Sequence, residues 1–149
     1  MTGYSGTPLP NKLGLKERLR VALVAIPPEI KADLKPALAA CFLVKREPLD
    51  FAMLFVKSQA ELKPAFAKLA GQLTPAGMLW VSWPKKTSGI PSDLSENEVR
   101  AIGLAAGLVD VKVCAVSEVW SGLKFVRRLR DRARKAGSWP PSPKAKHQR

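Results

Sequence analysis

One loop of the chain holds the side chains best suited to binding an anion. It runs from Lys85 to Gly89 and reads KKTSG, with two cations, two hydroxyl groups and a flexible glycine. Such groups beside helix N-termini can hold a phosphate or a carboxylate. The glycine spacing is not that of a phosphate-binding P-loop. An equal alternative is a solvated connection in which Gly89 and Pro91 only shape turns.

Catalytic combinations of residues are scarce. His147 is the only histidine and lies near the C-terminal end, which argues against Ser/His, Cys/His and histidine-metal arrangements. Asp93, Glu96 and Glu98 are close together, but carboxylates in a first helical turn are ordinary partners of the helix dipole. We predict no metal site and assign no catalytic residue, and proton transfer by a Lys or an Asp stays open.

The segment 50–83 predicts the elements that would position this loop. Phe51–Val56 is an apolar run without alternation, which is typical of a parallel strand covered on both faces. Ser58 and Glu61 have the spacing of a capping box, so a helix begins there. Met78–Trp83 is a second buried strand. One strand, helix, strand unit of this kind indicates an α/β protein.

The remaining patterns complete a doubly wound, mostly parallel α/β sheet of about six strands. Further strands are predicted at Arg20–Ile26, Ala40–Lys45, Val109–Val116 and Trp120–Arg128, and further helices at 28–34 and 95–106. The last two strands are close in sequence and predict a closing antiparallel β-hairpin.

Ligands of open α/β sheets bind beyond the carboxyl ends of the strands. This rule extends the candidate site from the loop to the residues that follow two buried strands. The predicted ligand-binding residues are Lys57, Ser58, Trp83, Lys85, Lys86, Thr87, Ser88 and Gly89.

Two segments resemble class I methyltransferase-like, or Rossmann-like, proteins. LTPAGMLWVSW (73–83) is similar to their turn and strand after a helix, and 106–128 is similar to their closing hairpin. Three segments in order, GYSGTPLPNKLGLKE, WPKKTSGIPSDLSENEVR and GLVDVKVCAVSEVWSGLKFVRR, also resemble an uncharacterised bacterial family, domain-of-unknown-function family 3052. That resemblance covers about residues 3–128. It implies a fold and an order of motifs, and it brings no established activity.

The cofactor motif of methyltransferases is missing from this chain. Their glycine-rich turn lets the backbone and a helix N-terminus approach the ligand. Here VALVAIPPEIK has Pro27 and Pro28 in its place, and the end of the second strand has Lys45 and Arg46 instead of an acidic residue. We therefore expect no adenosyl-methionine site and no cofactor.

The net charge of +13 is concentrated at the C-terminal end. Residues 1–123 hold 15 Lys/Arg against 11 Asp/Glu, whereas residues 124–149 hold 10 against one. The crowded cations are Arg127, Arg128, Arg130, Arg132, Arg134 and Lys135. They predict weak, sequence-independent binding of nucleic acid through the tail. The alternative is a solvated tail that aids solubility.

Length and composition predict one α/β domain at 1–129, with an N-terminal arm at 1–15, followed by a basic, disordered tail at 130–149. No segment has the pattern of a membrane helix or a secretory signal, so the expected compartment is the cytoplasm, without membrane association. Cys41 and Cys114 are far apart and lack a CxxC pattern, which favours reduced thiols.

The leading functional interpretation is a non-catalytic, methyltransferase-like module that binds an anionic small molecule or a protein segment. Two alternatives remain at this stage. One is a degenerate or unusual S-adenosylmethionine-dependent methyltransferase, and the other is nucleic-acid association through the tail.

Overall fold

The structure, a computed structural model, describes residues 8–132. The α-helices are α1 Leu9–Leu13, α2 Pro28–Leu38, α3 Gln59–Gln72 and α4 Glu96–Ala105. The strands are β1 Arg20–Val24, β2 Phe42–Leu43, β3 Leu49–Phe55, β4 Leu73–Pro84, β5 Leu108–Ala115 and β6 Trp120–Arg127. Short 3-10 helices lie at Lys86–Ser88 and Leu129–Asp131.

The six strands form one sheet in the order β2-β1-β3-β4-β6-β5. β2, β1, β3 and β4 are parallel to one another, and β6 is antiparallel to both β4 and β5. The predicted mostly parallel sheet with an antiparallel hairpin at one edge is therefore confirmed.

Helices cover both faces of the sheet, and the sheet divides the core into two clusters. On one face Phe66 of α3 meets Phe125 of β6 edge to face, with ring centroids 5.0 Å apart. On the other face the indole N–H of Trp80 donates a 2.8 Å hydrogen bond to the carbonyl of Leu13, at the end of α1. Because both faces are buried, the central strands are apolar without alternation.

The elements differ from the predicted ones mainly at their ends. α2 continues past Pro36 to Leu38, because Leu34 and Leu38 lie on its buried face four residues apart. β2 is only Phe42–Leu43, since it lies at the sheet edge and pairs with β1 alone. α1 was not predicted. It is one short turn that ends at Gly14, whose φ of 79° is left-handed.

No helix within residues 8–132 has the length and apolar character needed to cross a membrane. A cytoplasmic location remains a prediction. Cys41 and Cys114 are free and partly buried, and burial raises the pKa of the Cys114 thiol. The division into a domain at 1–129 and a tail at 130–149 also remains a prediction, since 133–149 and 1–7 lie outside the described residues.

Candidate functional site

A cleft of about 510 Å³ lies beyond the carboxyl ends of β1 and β3. This volume is within the usual range for small-molecule sites, which is roughly 300–1,000 Å³. The lining residues are Ala25, Pro27, Glu29, Phe55, Val56, Lys57, Glu61, Ile90, Val119 and Trp120. The cleft is where an open α/β sheet is expected to bind its ligand.

The turn after β1 forms one side of the cleft. Ala25 has a φ of 58°, a left-handed conformation that a residue with a side chain rarely adopts. Pro27 is the N-cap of α2 and Pro28 is its first residue. Neither proline has an amide hydrogen, so Glu29 carries the first N–H of this helix. The turn thus keeps a left-handed residue but presents fewer backbone donors than a glycine-rich turn.

The start of α3 forms a second side. Ser58 is its N-cap, and the Ser58 hydroxyl accepts a 3.1 Å hydrogen bond from the amide of Glu61. The Glu61 carboxylate accepts a 2.8 Å hydrogen bond from the amide of Lys57. These two hydrogen bonds form the predicted capping box, with the difference that the carboxylate accepts from the amide of Lys57 and not from that of the N-cap residue. Ser58 therefore serves the helix, while the Lys57 and Glu61 side chains are exposed and line the cleft.

Two aromatic rings form the wall of the cleft nearest the hairpin. Phe55 ends β3 and Trp120 begins β6, and their rings meet edge to face with centroids 5.1 Å apart. Both residues are almost fully buried, so only a small part of each ring reaches the cleft. An arrangement of this kind offers a rigid apolar surface for a flat or cationic group.

The loop predicted as an anion cradle lies beside this cleft and is largely held by its own hydrogen bonds. Lys86–Ser88 is a 3-10 turn, and Gly89 ends it with a φ of 80°. The Ser88 hydroxyl donates to the carbonyl of Lys85 at 2.7 Å and accepts from the amide of Ile90 at 3.1 Å. Lys86 and Thr87 are exposed. The role of the loop in binding remains a prediction, and only its neighbour Ile90 lines the cleft.

Carboxylates lie close to Lys86. It shares a small hollow of about 220 Å³ with Asp93 and Glu98. The pKa of the Glu98 carboxyl is lowered, chiefly by the hydrogen bond from the Ser95 hydroxyl and to a smaller extent by the charge of Lys86. The ammonium of Lys86 therefore already faces negative charge, which weakens the case for an anion there.

Trp83 does not reach the cleft. It is 5% exposed and packs in the core beneath α3 and α4. Trp120, on the opposite face, takes the place in the cleft that was expected of Trp83. The reason is the alternation of side chains along β4, where Trp80 and Trp83 face opposite sides of the sheet.

The basic residues assigned to nucleic-acid binding differ in how deeply they are buried. Arg127 is fully buried, and its guanidinium donates to the carbonyl of Leu73. Its assignment to the cations that would bind nucleic acid is therefore corrected, because its side chain is buried in the core at the end of β6. Arg128 and Arg132 are half-buried and Arg130 is exposed. Arg134 and Lys135 lie outside the described residues, and binding through the tail remains a prediction.

The residues that the sequence reasoning missed are Glu29, Phe55, Glu61 and Trp120. Phe55 and Trp120 were counted as strand residues, and Glu61 was considered only for its capping role. A signal for two of them was available, because Phe55 and Trp120 lie at or next to the ends of predicted strands, and Glu29 lies in the first turn of the helix that follows the first strand. For Glu61 the only available signal was its spacing of four residues from Lys57, which corresponds to about one helical turn.

Several solved structures with a similar fold are methyltransferases. One is a SAM-dependent methyltransferase from Aquifex aeolicus, with 16% identity, a TM-score of 0.55, and coverage of 77% of this chain and 85% of that one. The fold is that of SAM-dependent methyltransferases. Magnesium protoporphyrin IX methyltransferase from Synechocystis PCC 6803 with bound SAH has 13% identity, a TM-score of 0.53 and 75% coverage of both chains. At this identity the similarity establishes the methyltransferase-like fold alone.

A third methyltransferase structure contains the methyl donor. It is the glycopeptide N-methyltransferase MtfA complexed with S-adenosyl-L-methionine, with 9% identity, a TM-score of 0.53, and coverage of 80% of this chain and 86% of that one. No protein-family model and no curated protein sequence matches the chain. The resemblance to family 3052 is therefore unconfirmed.

The expectation of no cofactor is corrected by these structures, because proteins with the methyltransferase-like fold contain SAM or SAH. The cleft in this chain suits such a ligand. Its lining combines the carboxylates of Glu29 and Glu61 with the ammonium of Lys57 and the aromatic pair. SAM carries an ammonium, a sulfonium, a carboxylate and two ribose hydroxyls, and each has a complementary group in this lining.

Proposed function

We propose that this methyltransferase-like domain binds S-adenosylmethionine or its demethylated product in the cleft beyond β1 and β3, as an unusual member of the methyltransferase fold class. The proposal depends on one observation. Two carboxylates, one ammonium and two aromatic rings line a single cleft of nucleoside size at the carboxyl edge of the sheet. This mixed set of charges suits a ligand that carries both signs.

Each lining group has a definable task. The Glu29 and Glu61 carboxylates are acceptors only, and they would bind ribose hydroxyls or the ligand ammonium. The Lys57 ammonium would pair with the ligand carboxylate. The ring of Trp120, fixed against Phe55, offers a π face or edge to the positively charged part of the ligand. When bound, SAM supplies a methyl group on a sulfonium, which is electrophilic.

The turn after β1 is where this site would differ from a glycine-rich one. Pro27 and Pro28 remove two amide donors, so the ligand would depend more on side-chain carboxylates. We expect weaker binding than a glycine-rich turn gives, since hydrogen bonds to exposed side chains must also order those side chains.

A purely anionic ligand, which the sequence favoured, is less well supported. Among residues 8–132, Glu29 and Glu61 outnumber the one ammonium that lines the cleft, and a phosphate there would face like charges. The hydroxyl of Ser58 is already engaged in capping α3.

Calorimetric titration of the full chain with SAM and with S-adenosylhomocysteine tests the proposal. We expect saturable binding at one site per chain. Glu29→Gln should weaken it by about tenfold, as expected when a charged acceptor is replaced in a hydrogen bond worth roughly 1.5–3 kcal/mol. Asp33→Asn is the matched control, because Asp33 is an exposed carboxylate of the same helix that does not line the cleft.

Trp120→Leu provides a second, independent variant at the apolar wall, with an expected loss of affinity of similar size. Circular dichroism establishes that each variant is folded before it is titrated. Absence of any isotherm for the folded wild-type chain would overturn the proposed function. Binding that is unchanged by both Glu29→Gln and Trp120→Leu would mean that the ligand occupies another part of the molecule.

A further inference from the structure

Five cationic residues meet on one face of the hairpin, away from the cleft. They form a cluster that we call the hairpin cation cluster, and its members are Lys12, Lys16, Lys112, Lys124 and Arg132. They come from α1 and the segment after it, from β5, from β6 and from the turn after β6. The chain therefore brings cations from four parts of its sequence to one place.

The centre of the cluster is a cross-strand pair of lysines. Lys112 of β5 and Lys124 of β6 are directly opposite in the register of the hairpin. Lys124 lies beside Trp80 of β4 in the same sheet. Its ammonium nitrogen reaches the turn at Gly14, where it would lie 3.7 Å from a Cβ added to that glycine.

Backbone carbonyls hold three of the cations in position. The Lys112 ammonium donates a 2.8 Å hydrogen bond to the carbonyl of Lys12, and the Lys12 ammonium donates a 3.1 Å hydrogen bond to the carbonyl of Ala115. The Nε–H of Arg132 donates to the carbonyl of Arg127 at 3.0 Å. Ammonium and guanidinium groups that are already fixed lose less side-chain entropy when an anion binds.

This arrangement costs the free protein electrostatic energy. Like charges directly opposite in a sheet are destabilising. The pKa of Lys124 is lowered by its partial burial and then by the charges of Lys112, Lys16 and Arg132. The three ion pairs found within residues 8–132 involve Arg20 and Arg100, so none of them neutralises Lys16, Lys112 or Lys124. An anion at this place would relieve the repulsion.

We propose that the hairpin cation cluster is a binding site for a small, multiply charged phosphate, of the pyrophosphate or nucleotide-phosphate class. Lys16 lies in the segment between α1 and β1, the Lys124 ammonium reaches Gly14 of that segment, and the Lys112 ammonium binds the carbonyl of Lys12 just before it. Convergence of these cations on one short segment suits a compact anion. A nucleic-acid backbone instead spreads one charge over each phosphodiester along an extended groove. The site lies on the face of α1, and it is separate from the cleft beyond β1 and β3.

The experiment is a calorimetric and thermal-unfolding titration of the full chain with sodium pyrophosphate, at constant ionic strength set with sodium chloride. We expect saturable binding and a higher Tm. Lys124→Met should reduce the affinity by at least ~tenfold, since a charge-assisted hydrogen bond is lost. It should also raise the Tm measured without anion, because the repulsion is removed. Lys124→Arg keeps the charge and should keep the binding.

Lys68→Met is the matched control, since Lys68 is an exposed lysine of α3. It should change neither the affinity nor the Tm. Lys112→Gln, at an exposed position, tests the same site if Lys124→Met does not fold, and it should weaken binding by about fivefold or more. Affinity for pyrophosphate that is equal in Lys112→Gln and Lys68→Met would overturn the proposal, because the anion would then bind elsewhere, such as the basic C-terminal end. Binding of a single-stranded oligonucleotide without binding of pyrophosphate would overturn it as well.

Discussion

Arg127 donates a hydrogen bond from its buried guanidinium to the backbone carbonyl of Leu73, which joins the end of β6 to the start of β4. Leu73 directly follows α3, so this contact lies where the chain changes from helix to strand. Burial lowers the pKa of Arg127, and Asp131 opposes that shift. Arg127, which the sequence grouped with the basic residues of the C-terminal end, is therefore part of the fold.

The first prediction follows from this contact. Arg127→Leu should lower the free energy of unfolding by about 1–3 kcal/mol, because the Leu73 carbonyl loses a buried donor. Chemical denaturation measures this difference. Arg130→Leu, at an exposed arginine, is the control and should stay within about 0.5 kcal/mol of the wild type. An equally small effect of Arg127→Leu would mean that the contact does not stabilise the fold.

The second prediction compares two serines at helix N-termini. The Ser58 hydroxyl accepts from the amide of Glu61, whereas Ser95 makes no such cap and instead donates to the Glu98 carboxylate. Ser58→Ala should cost about 1 kcal/mol of stability, the usual value for loss of an N-cap. Ser95→Ala should cost less, because the Ser95 hydroxyl accepts no hydrogen bond from a backbone amide of α4. Equal losses in urea denaturation would contradict this distinction.

The third prediction concerns the packing of α4 against β6. A Cβ at Gly103 would overlap the ring of Phe125, which is itself fixed against Phe66. Gly103→Ala should therefore destabilise by about 1–3 kcal/mol through overpacking. Gly89→Ala is the control, because the space around Gly89 is open and only its left-handed φ of 80° is unfavourable, at a cost of about 1 kcal/mol. A Gly103→Ala variant as stable as the wild type in thermal unfolding would show that α4 can shift.

The fourth prediction is a pH dependence caused by Lys124. Its pKa is lower in the folded protein than its ordinary value of 10.5. Between these two pKa values the unfolded chain binds more protons, so stability rises with pH in that window. Below the folded pKa the repulsion is fully present. Lys124→Met should thus be more stable than the wild type at neutral pH, and the advantage should shrink as the pH rises toward about 10.

The measurement is the difference in unfolding free energy between the two proteins over that pH range. The groups that act on Lys124 are Lys112, Lys16 and Arg132, and all three are unchanged in the variant. A difference that grows with pH would have the opposite sign and would show that Lys124 is stabilised in its charged form.

Several features of the fold were predictable from local sequence patterns. The apolar run of β3, the Ser58 cap and the buried strand β4 depend on residues within a few positions of one another, and periodicity reports such local choices. The closing hairpin followed from two strands separated by a short connection. The same reasoning failed for α1, whose single turn is held by contacts with Trp80, 67 residues away in sequence.

The site was less predictable because it consists of contacts between distant segments. The sequence by itself determined an α/β sheet of six strands, the lysine at the end of β3 and the loss of the glycine turn at Pro27 and Pro28. Only the tertiary structure showed that Glu29, Glu61 and Trp120 line one cleft. It also showed that Arg127 is buried in the core and that Lys124 lies opposite Lys112 in the hairpin. The physical reason is that burial and the electrostatic surroundings of a side chain depend on strand order and register, which no local pattern of residues encodes.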